Sequence, residues 1–216
     1  ELINELNKNR GGTTLKFRRR MSENAFSETG YYDSIIANYF TKLSNNKFPK
    51  RKLIYGSLIE KLRYGENPHQ EGAIYSLSDT LNIKKLNGKQ LSYNNYNDIF
   101  SALIISKSLP NNTGTVIVKH ANPCGVSINK NKVKSFKLAL SCDPISAFGG
   151  IVSCNFTINK KLAKELNKIF LEVVICNGIK IDALKTLKKK KNLRIIDATN
   201  IKLKNVQNAI LNFNSI

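Results

Sequence analysis

One of the two histidines in this 216-residue chain, His120, stands beside a lysine at the end of an apolar run. The run reads Val116-Ile117-Val118-Lys119-His120-Ala121-Asn122-Pro123-Cys124-Gly125. An imidazole titrates near 6.5, which suits it to general acid/base work at neutral pH. An ammonium beside it can face negative charge that develops during a reaction. Thr115 to Val118, bounded by Asn-Asn-Thr-Gly and by a Pro and a Gly, reads as a core strand. Lys119 and His120 are thus predicted at a strand end, entering an Asn-Pro-Cys-Gly turn. On the residues alone, catalysis and a merely structural hydrogen-bonding role for the pair are equally open.

The same run resembles a zinc deaminase signature, H-x-E followed by P-C-x-x-C, and departs from it where it counts. Asn122 stands where the proton-shuttling Glu belongs, and Ser127 where the second Cys ligand belongs. No metal is expected, and His120 is left to act as a base itself. Arg63 offers a planar fork for a phosphate or carboxylate, and Tyr64 a ring that could stack on a flat ligand. Both also fit a surface pair beside a turn. Phe148-Gly149-Gly150 could let backbone approach a ligand, or could be a plain turn before a strand. The phosphate-cradling G-x-x-x-x-G-K-[ST], the dinucleotide G-x-G-x-x-G and the G-x-S-x-G nucleophile elbow are all absent from the sequence.

The elements that must position these residues can be read from periodicity. Tyr32, Ile35, Ile36, Tyr39 and Phe40 form a helical stripe within Phe17–Phe40, predicted to pack. Thr41 to Lys52 is polar, with a Pro, and reads as a linker. Ala73 to Ser76 reads as a strand and Leu86 to Lys89 as a turn. Asp98 is predicted to cap a buried helix from Ile99 to Leu109. Further helices are expected over Lys132–Leu140, Lys160–Phe170 and Ala183–Lys190. Strands are expected over Ile151–Cys154, Val173–Ile175 and Leu193–Ile196. Helices alternating with short apolar strands point to an α/β layered domain. Asn200 to Ile216 ends without a clear stop signal.

Composition bounds the function classes. The net charge is +20, from 35 basic and 15 acidic residues, which by itself suggests nucleic acid. The lysines are scattered, however, and travel with Asn and Ile, as A+T-rich codons would produce, so a solvated basic surface is the favoured reading. Such a field would draw in phosphorylated small molecules. Cys124, Cys142, Cys154 and Cys176 form no C-x-x-C pair and read as free thiols of a reducing cytosol. No apolar run approaches the roughly 18 residues of a membrane span, so a soluble protein is expected. The chain lacks an initiator Met and a visible secretory signal, and is predicted to be a piece of something longer.

Four ordered segments carry a resemblance. They are Leu62-Arg63-Tyr64-Gly65-Glu66-Asn67-Pro68-His69-Gln70, Leu91-Ser92-Tyr93-Asn94-Asn95, Val118 to Gly125, and Asp143-Pro144-Ile145-Ser146-Ala147-Phe148-Gly149-Gly150-Ile151-Val152. In order and spacing they resemble the bifunctional purine-biosynthesis family that joins aminoimidazole carboxamide ribonucleotide (AICAR) transformylase to IMP cyclohydrolase. Thr13-Thr14, Arg18, Ala25-Phe26, Thr29, Tyr32-Asp33 and Tyr39-Phe40 look like the closing segment of its cyclohydrolase domain.

The resemblance implies a division into residues 1–45 from the cyclohydrolase, 46–60 as linker, and 61–216 as the first part of the transformylase. It implies a layered mixed sheet with flanking helices, similar to cytidine deaminase but without the zinc. The implied reaction moves a formyl group from 10-formyltetrahydrofolate to the 5-amino group of AICAR, in the cytoplasm and in a homodimer. His120 would be the base and Lys119 the group that stabilises the formyl oxygen. Arg63, Tyr64, Asn95, Phe148, Gly149 and Glu172 would hold the nucleotide.

Two departures stand out. Relatives often read Ile-Ile-Ala-Pro where this chain has Val174-Ile175-Cys176-Asn177. The family's folate-binding elements and a later substrate asparagine would lie beyond Ile216, and its cyclohydrolase site before Glu1, so the chain alone is expected to be weak or inactive. The rival readings are a basic nucleic-acid-binding module and a non-catalytic homologue that binds AICAR.

Overall fold

The computed structural model describes residues 1–77 and 83–201, so residues 202–216 of the stretch without a stop signal lie outside the described residues. The chain divides into two compact units, residues 1–59 with 75–80, and residues 60–74 with 81–216. The division falls within Ser57–Lys61 (β1) and Ala73–Ser76 (β2), which form a two-stranded sheet.

The first unit is helical, with α1 over Leu2–Lys8 and α2 over Leu15–Leu43. Thr14 caps α2 by accepting from the Phe17 N–H at 3.1 Å. The Glu5 carboxylate accepts from the Thr14 N–H and hydroxyl at 2.9 and 2.6 Å, tying the helices together. The predicted helix is present but its stripe is not packed. Tyr32 is 63% exposed, Tyr39 58% and Phe40 61%, and Phe17 is the buried residue of α2. Among the described residues of this unit nothing broad covers the apolar side of this 29-residue helix, so the helix is as the periodicity predicts and its stripe stands exposed.

The second unit is a three-layer α/β domain. Its strands are β3 (Lys84–Asn87), β4 (Gly114–Lys119), β5 (Asn122–Ile128), β6 (Ile151–Cys154), β7 (Val173–Cys176) and β8 (Arg194–Asp197). They lie in the order β3-β8-β7-β6-β4-β5. The pairs β6/β7 and β7/β8 are parallel, and β4/β5, β4/β6 and β3/β8 antiparallel, so the sheet is mixed as expected. Its central strands are buried on both faces, which explains their continuous apolar runs. Alternation then assigns the layers. Ile117, Val152, Val174 and Ile195 pack against α4 (Lys132–Cys142), α5 (Lys160–Leu166) and α6 (Ile181–Leu187). Val116, Val118, Ile151, Val173, Ile175 and Ile196 pack against α3 (Tyr93–Ser108) through Tyr96, Ile99, Ala102 and Leu103.

Several local expectations are corrected. Helix α3 starts at Tyr93, six residues before the predicted start, because Ser92 and Asn95 form a reciprocal capping box; Asp98 is therefore a mid-helix residue. Lys84–Asn87 is an edge strand, and the turn comes at Gly88, whose φ is +96°. Helix α5 stops at Leu166, four residues short of Phe170, because Asn167 already closes it. The Asn-Pro-Cys-Gly segment is not a turn but the start of β5. Pro123 is tolerated because β5 is the edge of the sheet, and because a bulge puts Pro123 opposite Val118 and Gly125 opposite Ile117.

At Gly125, α4 packs directly on β5. A Cβ on it would sit 1.9 Å from the Ala139 carbonyl oxygen and 3.2 Å from the Cys142 Cβ. Gly125→Ala is therefore expected to destabilise the domain by about 3 kcal/mol, read as a lower urea midpoint at unchanged slope.

Asn177 is held from two sides. Its side chain accepts from the Lys107 ammonium at 2.9 Å and donates to the Asn155 carbonyl at 3.3 Å. Lys107, whose pKa is pushed down by desolvation, donates also to the Ala198 carbonyl at 3.2 Å.

Candidate functional site

Strands β4 and β5 are joined by two residues, His120 and Ala121, between the paired Lys119 and Asn122. Both have positive φ, +54° and +59°, the pattern of a type I′ hairpin turn. Such turns favour Asn-Gly; two residues with a Cβ in that region cost about 1–2 kcal/mol each. Ala121→Gly should relieve more strain than the ~0.5–1 kcal/mol of chain entropy it adds, for a net gain of about 0.5–1 kcal/mol in denaturant unfolding.

Two hydrogen bonds hold the turn. The Asp98 carboxylate on α3 accepts from the Ala121 N–H at 2.6 Å. The Asn122 amide donates to the His120 carbonyl at 2.9 Å. The His120 side chain is exposed, and the Lys119 ammonium donates to the Phe148 carbonyl at 2.8 Å. Lys119, His120, Asn122, Pro123, Cys124, Asp143 and Ser146 line an open cleft of about 390 Å³.

The Cys124 thiol is pushed up, by burial first and then by the Asp143 carboxylate. It is held as the thiol and is not a nucleophile at neutral pH. Asp143 itself lies below its usual range because of hydrogen bonds from Ser146, side chain first and then backbone. Its Oδ1 accepts from the Ser146 N–H at 2.9 Å. This carboxylate lines the same cleft as Lys119 and His120.

Topology gathers other residues along this edge of the sheet. Strand β4 ends where antiparallel β6 begins, with Val118 opposite Ile151. Phe148, Gly149 and Gly150, just before β6, therefore lie beside Lys119. Gly149 has φ +75° and donates its N–H to the Phe170 carbonyl at 2.9 Å, while the exposed Phe148 ring tilts against that of Phe170 with centroids 5.3 Å apart. Glu172, just before β7, accepts from the Asn95 amide at 2.9 Å and lies 3.7 Å from the Arg194 guanidinium.

Asn95 thus has two duties. Its Oδ1 accepts from the Ser92 N–H in the capping box, and its Nδ2 holds Glu172. The residue is 4% exposed, so it aims the half-exposed Glu172 rather than presenting itself to solvent. Arg63 is exposed, with its guanidinium 5.7 Å from the centre of the Tyr64 ring. Their segment is fixed by Leu62 in the α3-side core and by the Asn94 amide donating to the Glu66 carbonyl at 3.3 Å. The structure places Lys119, Phe148, Gly149, Glu172 and Asn95 along one connected edge, and carries Arg63 and Tyr64 on a segment tied to the first turn of α3.

Sequence reading missed Asp98, Asp143 and Arg194. A carboxylate leading into the apolar run from Ile99 was the available signal for Asp98, taken for a cap that Ser92 supplies. A separate groove of about 530 Å³ between α4 and α5 is lined by Lys134, Lys137, Lys161 and Lys164 with Glu165. Helix α4 begins beyond Ile128, which pairs with Gly114 at the far end of β4 from Lys119, so its N-terminal turn lies at the other end of the sheet.

A mixed-sheet α/β domain with a cationic and imidazole pair on a strained strand-end turn, a carboxylate lining the same cleft and a buttressed glutamate before the next strand is the class that fold and site define. The chain belongs to the AICARFT/IMPCHase bienzyme family, whose model matches residues 1–215. It is 41% identical over 202 residues to the bifunctional purine biosynthesis protein PurH of Rhizobium rhizogenes, covering 91% of this chain and 38% of that protein. The PurH of Aquifex aeolicus is 45% identical over 193 residues, 87% of this chain and 38% of the relative. That of Bradyrhizobium diazoefficiens is 41% identical over 201 residues, 90% and 38%. The chain spans about two fifths of the length of these relatives. No helix among the described residues is long and apolar enough to cross a membrane.

Proposed function

We propose that residues 61–216 are the first part of an AICAR transformylase domain, and that the β4–β5 turn is the reacting half of its site. Residues 1–45 are read as the close of an IMP cyclohydrolase domain and 46–60 as the linker. The full-length gene product transfers a formyl group from 10-formyltetrahydrofolate to the 5-amino group of AICAR in purine synthesis, and carries the cyclohydrolase activity as well. It works in the cytoplasm and as a homodimer, without a metal.

The single observation that carries this reading is the placement of Lys119 and His120 at the cleft mouth, held by bonds to Phe148 and, through Ala121, to Asp98. The amine of AICAR is conjugated with a carboxamide-bearing ring and is a weak nucleophile. As its nitrogen bonds to the formyl carbon, His120 takes the departing proton. The Lys119 ammonium faces the negative charge that builds on the formyl oxygen. Collapse of the adduct breaks the bond to the folate nitrogen, which needs a proton that the imidazolium can return. Arg63 supplies a fork for the nucleotide phosphate, Tyr64 a ring face, and Glu172, aimed by Asn95, an acceptor for ribose hydroxyls. Phe148 and Gly149 form the adjoining wall.

The test is formyl transfer to AICAR by the full-length gene product, and turnover dependent on both substrates is expected. The lysine groove between α4 and α5 favours one other reading, a surface for nucleic acid. Absence of turnover, together with salt-dependent RNA binding that survives Lys119→Ala and His120→Ala, would establish that reading instead.

A further inference from the structure

From the geometry we infer that Asp98 is a positioning residue for His120: its carboxylate clamps the strained β4–β5 turn and thereby sets where the imidazole stands. This rests on the transformylase reading for its kinetic consequence, but not for its structural one.

The turn is disfavoured by its own residues. His120 and Ala121 both carry a Cβ and both have positive φ, +54° and +59°, so neither would hold this conformation without support. The neighbouring strands fix only the flanks, through the Lys119–Asn122 pair. Inside the two-residue loop, the Ala121 N–H receives a 2.6 Å bond to Asp98 Oδ1, and the His120 carbonyl a 2.9 Å bond from the Asn122 side chain. The Asn122 bond is local, within two residues. The Asp98 bond reaches across 23 residues to a rigid helix.

Asp98 is anchored where it counts. It lies one turn into α3, beside Ile99, which is fully buried, and one turn after the Ser92–Asn95 capping box. The same helix aims Glu172 through Asn95. Helix α3 therefore registers both ends of the site, the glutamate through its first turn and the histidine through Asp98. Charge matters here as well as geometry, since a hydrogen bond to a carboxylate is about twice as strong as one to a neutral acceptor.

A mid-helix aspartate in a largely apolar helix contributes nothing to helix formation that Ala would not exceed. Asp98→Ala should therefore keep the helix while freeing the turn. Asp98→Asn keeps an oxygen acceptor within reach of the same N–H and should restore most of the effect.

Two readouts test this on the full-length gene product. Amide hydrogen exchange at Ala121 should speed up by at least about tenfold in Asp98→Ala, with Asp98→Asn between it and the wild type. In formyl transfer, Asp98→Ala should lower kcat by between about 10-fold and 100-fold, the effect of misplacing a catalytic group by about 1 Å. KM for AICAR should change by less than about threefold, and Asp98→Asn should recover most of the lost kcat. Unchanged Ala121 exchange in Asp98→Ala would overturn the inference. So would Asp98→Asn as slow as Asp98→Ala, or a rise in KM at unchanged kcat. If the wild type transfers no formyl group but Ala121 exchange responds as expected, the clamp stands and the transformylase reading falls.

Discussion

His120→Ala is expected to lower kcat for formyl transfer to AICAR by about 10²–10⁴-fold, the usual worth of a positioned general base. The side chain is exposed at the mouth of the cleft and lies outside both core clusters, so its removal should leave the fold intact. Circular dichroism and the urea midpoint should match the wild type within about 0.5 kcal/mol. KM for AICAR should move little, because the proton is taken only as the transition state forms. A small effect on kcat would return His120 to the structural role that the sequence alone left open.

Lys119→Ala is expected to cost about 10²–10³-fold in kcat, the scale for removing one preorganised charge from a developing oxyanion. Its side chain hydrogen-bonds the Phe148 carbonyl at 2.8 Å, and removing it also frees the wall that Phe148 and Gly149 form. The two losses should not add. Groups that act on one transition state as a unit lose together, so Lys119→Ala combined with His120→Ala should be scarcely slower than the worse single variant. Stopped assays on the four proteins would measure the coupling directly; full additivity would mean that the two side chains do not serve the same step.

Much of the fold was legible because its signals are local. Ile151–Cys154 and Ala73–Ser76 were read to the residue, since a short apolar run between turn residues has few alternatives. What was not legible depended on partners distant in sequence. The Asn-Pro-Cys-Gly segment carries strong turn residues, yet a bulge on an edge strand absorbs its proline. The turn fell instead on His120-Ala121, where positive φ is disfavoured for Ala121, and the Ala121 N–H bonds to Asp98, 23 residues away in sequence.

The stripe on α2, exposed among the described residues, shows the limit of periodicity. Periodicity reports that a helix has an apolar side, and says nothing of whether anything covers it. Within the candidate site, the sequence pointed to the reacting pair by residue type. Asp98, Asp143 and Arg194 look like ordinary charges until the fold sets them beside Ala121, Ser146 and Glu172 respectively.

The most direct test of the central claim, that the Lys119–His120 turn is where the AICAR amine reacts, is a titration of the full-length gene product with AICAR followed by NMR of its histidine side chains. The His120 signal is assigned by its loss in a His120→Gln control. A saturable shift of the His120 ring, with the amides of Lys119, Phe148 and Glu172 moving in step, is the expected result. An unmoved His120 ring, with shifts confined to the lysines of the α4–α5 groove, would contradict the account.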